Sequence, residues 1–170
     1  MAELKPEIGL VIRHAYLWWN EKRVGREEGS KDRPCVIVHI RQNEFGEAEV
    51  FIAPITHTPP ENPERAMAVP KPTKKRLGLD DELSWIITTE VNRFIWPGPD
   101  IRPVPGHGMA YGLLPANLGA DLVAKIRKNA MDRSISVVER DDEVRNEEVR
   151  KRQKPSRKPA RKTAKPRGRK

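Results

Sequence analysis

The sequence predicts a small, mainly β domain closed by a C-terminal helix, an α+β arrangement followed by a disordered tail. Three observations carry that expectation. Two β-branched runs flank a short polar connector, prolines and glycines break up residues 97–108, and a sustained helical period appears only near Leu118. Short strands joined through hairpins and covered by one helix imply a strongly bent barrel or sandwich, because a lone sheet would expose its edges.

The elements follow in chain order. Residues 8–18 hold Ile8, Leu10, Val11, Ile12, Tyr16, Leu17 and Trp18, which suits a strand with a bulge near His14 and Ala15. Residues 20–32 are polar, carry Gly25 and Gly29, and read as an exposed, mobile loop. Residues 34–40 and 50–55 are joined by a connector whose Asn43 and Gly46 suit a tight turn, so they form a hairpin. Residues 66–69 are a short strand, 74–79 one helical turn, and 84–89 and 91–96 are extended. Pro115 suits the first turn of a helix in which Leu118, Leu122 and Ile126 recur every four residues, beside Val123, to about Asp132. The tally is five or six strands, then a terminal helix.

Charge divides the chain in two. There are 33 Lys+Arg against 24 Asp+Glu, a formal charge of +9. Residues 150–170 hold 12 of the basic residues and no acid, and residues 139–149 hold six acids against Arg140 and Arg145. Residues 1–138 therefore carry 19 basic and 18 acidic side chains, a nearly neutral domain large enough for one core. Residues 139–170 form an acidic-then-basic tail too poor in apolar residues to offset its own ordering entropy. That tail is either a solubilising extension or an electrostatic adhesive for RNA, DNA or ribosomes, without sequence preference. Cys35, the single cysteine, sits in an apolar run as a core residue, and no apolar stretch approaches the roughly 18 residues of a membrane span. No secretory pattern opens the chain, which reads as cytoplasmic and not membrane-bound.

Familiar catalytic fingerprints are missing: the four histidines lack the spacing of a zinc site, and no nucleophile elbow, phosphate loop or dinucleotide motif occurs. The hairpin supplies a different constellation. If its turn centres between Glu44 and Phe45, facing residues have numbers summing to 89, which sets Arg33 opposite Thr56 at the sheet rim. A guanidinium beside a hydroxyl receives a phosphate well, the first through a charge-assisted fork and the second through one hydrogen bond. The ordinary alternative is a solvated arginine at a strand start and a threonine with good strand propensity.

Several segments in order resemble the MazF/PemK/Kid toxins of bacterial toxin-antitoxin systems. Gly9-Leu10-Val11-Ile12 is similar to that family's opening strand, and Arg33-Pro34-Cys35-Val36-Ile37-Val38, with the loop from Glu28, resembles its loop and R-P-hydrophobic strand. Phe51-Ile52-Ala53-Pro54-Ile55-Thr56 resembles the strand ending in P-x-T, and Thr89-Glu90-Val91-Asn92-Arg93-Phe94-Ile95 a strand carrying an acid and a following base. Residues 118–131 match the closing helix, so the resemblance spans about residues 8–131. The loop before Arg33 is longer than usual in the family, residues 96–111 are rich in proline, and the tail has no counterpart.

The resemblance implies a small SH3-like barrel, normally a homodimer, that cleaves single-stranded RNA without metal or cofactor and is neutralised by an antitoxin peptide, in many systems joined to a DNA-binding domain. The substrate's 2′-hydroxyl attacks the adjacent phosphate to give a cyclic phosphate. Arg33 would hold the phosphorane and donate a proton to the leaving 5′-oxygen, the second role being weak because arginine is a poor acid. Thr56 would donate one hydrogen bond, and Glu90 would take the proton, with Glu28 or His57 as alternatives. Glu28 would otherwise orient Arg33, or be a salt-bridged surface residue. Glu28, His57 and Arg93 also stand as substrate-binding candidates, and Trp18, Trp19 and Phe45 as base-stacking ones, with core packing the competing account of Trp18. A non-catalytic barrel that binds nucleic acid or a protein target is the rival reading.

Overall fold

The computed structural model describes residues 3–29 and 31–140, so the basic tail and its expected disorder lie outside the described residues. Strand β1 (Leu10–Tyr16) leads through the one-turn helix α1 (Trp19–Arg23) into the long hairpin β2 (Lys31–Gln42) and β3 (Ala48–Thr56). There follow β4 (Ala66–Ala68), α2 (Lys71–Leu77), β5 (Trp85–Ile87), β6 (Glu90–Ile95), two-residue strands β7 (Ile101–Arg102) and β8 (Gly112–Leu113), α3 (Ala116–Met131) and β9 (Ser136–Glu139). The nine described strands form one branched sheet whose main path runs β4-β5-β3-β2-β1-β7, antiparallel throughout except where β9 joins β6 in parallel. The fold is thus mainly β with a covering helix, as the sequence predicts, but its strand pairing is open along this path.

Strand β3 is the hub. It pairs with β2 along one edge and with β6 along the other, then passes its last two residues, Ile55 and Thr56, to β5. Both faces of the central strands are buried, which explains why β2 and β3 read as continuous apolar runs rather than alternating ones. Val11, Val36, Val38, Ala53 and Ile55 pack beneath α2 and α3 through Leu77, Leu122 and Ile126. Ile12, Tyr16, Cys35, Ile37, Ile52 and Phe94 form a second core on the opposite face. Ile37 and Ile52 are cross-strand partners with no exposed surface, and each such side chain contributes about 1.5–3 kcal/mol.

The hairpin register carries two offsets that cancel. Asn43 closes the turn by accepting hydrogen bonds through Oδ1 from the Phe45 and Glu47 amides, and Gly46 supplies a φ of 78°. Near the turn, partners such as Gln42 and Ala48 sum to 90, centred on Phe45. A bulge between Ile37 and His39 adds one residue to β2, and beyond it Cys35 faces Pro54 and the sum is 89. The bulge expected in β1 is absent, since β1 pairs continuously with β2 from Val11 to Tyr16. Tight antiparallel pairing there leaves no extra residue to accommodate.

Three further expectations change. Residues 20–23 of the anticipated loop, with Trp19 before them, are helical, because Glu21 reaches back to accept from the Trp18 amide at 3.2 Å and ties the first turn. The short helix starts at Lys71 rather than Lys74, and it ends at Gly78 in the left-handed conformation. A strand, β9, follows the last helix. Glu139 and Arg140, assigned by composition to the tail, belong to this packed structure. Arg140 is buried at 9% exposure and bonds to the Glu27 carbonyl, the Ala15 carbonyl and, at 3.0 Å, Asp100. No described helix is long and apolar enough to cross a membrane.

Candidate active site

The ends of β2 and β3 open onto a cleft of about 500 Å³ whose walls include Arg33, Thr56, His57, Lys74, Asp80 and Tyr111. Arg33 and Thr56 lie two residues beyond the Cys35–Pro54 pair, so the restored register delivers both to the same rim. Thr56 is buried at 9% exposure, and its Oγ1 accepts from the Thr58 amide at 3.2 Å. That bond leaves the hydroxyl proton available for donation.

Arg33 sits between this cleft and a second group of side chains. Its guanidinium lies 4.8 Å from the centre of the Trp18 ring, which meets Tyr16 edge-on at 5.1 Å. Among the described residues it has no carboxylate in ion-pair range, and its Nε is buried without a hydrogen-bond partner. Neighbouring arginines are paired instead: Asp32, one residue away and on the opposite side of the strand, takes Arg13 at 3.3 Å. A partly buried guanidinium stacked on an aromatic ring, with no ion pair among the described residues, has donors to offer an anion.

Glu90, the first residue of β6, lies outside the wall of that cleft but close enough to Arg33 to feel its charge. Its Oε1 accepts from the Tyr16 hydroxyl at 3.1 Å and from the Trp19 amide at 3.2 Å. Burial pushes its carboxyl above the ordinary carboxylate range, against the pull of those two donors and of the Arg33 charge. Burial, together with the Glu90 charge, likewise pushes the Tyr16 hydroxyl up, so it stays a proton donor to Glu90. The result is a carboxylate fixed by two donors, its carboxyl held above the ordinary range by burial.

The corner carrying Trp18 and Trp19 is held by a residue that sequence reasoning left without a role. Asn92 is buried in β6; its Nδ2 donates to the Leu17 carbonyl at 2.7 Å and its Oδ1 accepts from the Leu17 amide at 2.9 Å. This pair of bonds fastens the end of β1 to β6. The available signal was an amide in the middle of an apolar strand, which demands a buried partner. Gly29 closes the approach from the other side. A Cβ on it would stand 2.2 Å from the Tyr16 carbonyl oxygen, so only glycine lets the loop lie against β1.

The remaining candidates fall in three places. His57 is at the cleft rim, its Nε2 2.8 Å from Asp80 and its Nδ1 3.0 Å from Glu82. Glu28 is exposed in the loop, and no hydrogen bond or ion pair joins it to Arg33. Arg93 is turned to the other side of β6, ion-paired with Glu49 at 3.3 Å and with Glu139. Phe45 is at the hairpin turn, the opposite end of β2 and β3 from Thr56. The structure thus gathers Arg33 with Glu90 and Arg33 with Thr56, adds His57 to the cleft, and leaves Glu28, Arg93 and Phe45 elsewhere. No protein-family model matches the chain, and no curated protein matches it at a significant level.

Proposed function

We propose that the protein is a metal-independent endoribonuclease of the MazF/PemK/Kid toxin type, acting on single-stranded RNA through attack of the substrate's own 2′-hydroxyl. The observation that carries this reading is the Arg33 guanidinium, without an ion-pair partner among the described residues, lining a cleft with Thr56 and lying within reach of the Glu90 charge. Transphosphorylation asks a protein for charge stabilisation at a phosphorane and for proton transfer at two oxygens. Arg33 and the Thr56 hydroxyl bind the non-bridging oxygens, Glu90 takes the 2′-hydroxyl proton, and Trp18 and the 40%-exposed Trp19 offer ring faces to a base. The change of partner along β3, from β6 to β5, is compatible with an SH3-like barrel. Homodimerisation, neutralisation by an antitoxin peptide and a cytoplasmic location belong to the same reading.

The test is incubation of the purified protein with RNA in EDTA. Wild type should give 2′,3′-cyclic phosphate ends, and Arg33→Ala should lose about 10²-fold or more in rate, the size of one preorganised transition-state contact. Binding without new RNA ends, or an Arg33→Ala variant as active as wild type, would favour the non-catalytic reading in which the barrel and the basic tail only hold a partner.

A further inference from the structure

Lys74 is unusual for a lysine in a nearly neutral domain. It belongs to α2, its side chain is only 5% exposed, and its ammonium has three acceptors: Asp80 Oδ1 at 2.7 Å, Ser84 Oγ at 2.6 Å and the Glu82 carbonyl. Burying an ammonium is costly unless its charge and all its protons are matched, and here they are. The carboxylate that matches it is half exposed and faces the cleft with its other oxygen, on which His57 Nε2 rests at 2.8 Å. The chain Lys74, Asp80, His57 thus runs from the interior to the rim, ending one residue past Thr56.

The two contacts of the imidazole differ. Nε2 meets Asp80, which is fixed by Lys74 and by the Glu82 amide at 3.1 Å. Nδ1 meets the Glu82 carboxylate, whose side chain is 70% exposed and which water or substrate can replace. An imidazole donates to both carboxylates only when both ring nitrogens carry protons. A doubly protonated imidazole in this place has one N–H held by Asp80 and the other set against an exposed, replaceable carboxylate at the rim.

We propose, building on the endoribonuclease reading above, that His57 is the general acid of the reaction, and that Lys74 and Asp80 are positioning residues that aim it. In the step envisaged, the 2′-oxygen forms its bond to phosphorus and passes its proton to Glu90 while the bond from phosphorus to the 5′-oxygen breaks. The His57 Nδ1 proton goes to that leaving oxygen, and the pair resets through water, protonated Glu90 releasing its proton as the neutral imidazole takes one up. The assignment relieves Arg33 of a proton transfer for which a guanidinium is poorly suited and leaves it the phosphate charge. It follows the orientation logic of a buried acid steadying an imidazole, with a lysine added to steady the acid.

The experiment uses the full chain and an RNA oligonucleotide whose cleavage position has been mapped with wild type, resynthesised with sulfur as the bridging 5′ atom there. A thiolate leaves without protonation. On the all-oxygen RNA, His57→Asn should be slower by about 10²- to 10³-fold, the usual contribution of a general acid, and on the sulfur RNA it should fall within about fivefold of wild type. Asp80→Asn, which removes the charge that matches the buried Lys74, should, once circular dichroism shows it folded, lose about tenfold on oxygen and recover on sulfur. Lys74→Met should follow it if folded by circular dichroism. Equal losses on both RNAs, or none on oxygen, would overturn the assignment while leaving Arg33-dependent cleavage standing. A wild type that cuts neither RNA would remove the endoribonuclease reading and this one together.

Discussion

Two carboxylates flank Arg33 and Thr56, and the molecule treats them in opposite ways. Glu90 is buried against Tyr16 and the α1 corner, and burial drives its carboxyl up. Asp80 stands in a half-exposed loop, where partial burial pushes upward but the hydrogen bond and charge of Lys74, with the His57 charge, bring its carboxyl below the ordinary range. One side of the rim holds a group disposed to take a proton, the other a group that stays charged. Separating two titratable groups in this way is how one small site assigns acid and base roles. The difference comes from what is buried: on the first side the acid, on the second the lysine.

The comparison can be broken most severely at Asn92. Asn92→Ala orphans the buried amide and carbonyl of Leu17, and the expected loss is about 3 kcal/mol in denaturant unfolding, with the Trp18 and Trp19 fluorescence altered. Gly29→Ala, whose new Cβ collides with the Tyr16 carbonyl, should cost about 1–3 kcal/mol by the same measurement. A smaller effect, of opposite sign, is expected for Glu90→Gln. Folding raises the Glu90 value, so above that folded value the buried charge is a burden, and the burden lifts as pH falls. The variant should therefore be more stable than wild type at pH 8 and lose that advantage towards about pH 4. The smallest is at Asp80. Its folded value is lowered, so its contribution is present above the unfolded value near about 4 and disappears as pH falls through the folded one. In Lys74→Met, the Asp80 titration followed by carboxyl NMR should move upward toward the ordinary range, with less acid-dependent loss of stability.

The hairpin was legible because β-branched runs and an Asn-Gly turn speak locally, and with it the meeting of Arg33 and Thr56. Its register was right at the rim for a reason the sequence did not display. The turn is centred half a residue away from the expected place, and the Ile37–His39 bulge compensates. Glu90 enters as a candidate through resemblance and not through pattern, since a lone acid at a strand start has no periodic signature. Asn92, Lys74 and Arg140 escaped because their roles depend on partners far along the chain or on other elements, and lysine and arginine are rarely buried. The parallel strand β9 escaped because four residues after a helix, two of them valine, look like a fading domain edge until β6 is placed beside them.

The Asn92 clasp also sets a schedule. Its two partners are 75 positions apart in sequence, so the corner that presents Trp18 and Trp19 stays unfastened until β6 has been made and docked. At ribosomal rates of roughly 5–20 residues per second, that is a delay of about 4–15 s after residue 17 is added. A nascent chain carries Arg33 for most of that interval, and Thr56 for a little under half of it, before Glu90 is added. The corner is therefore completed only after most of the domain has been synthesised.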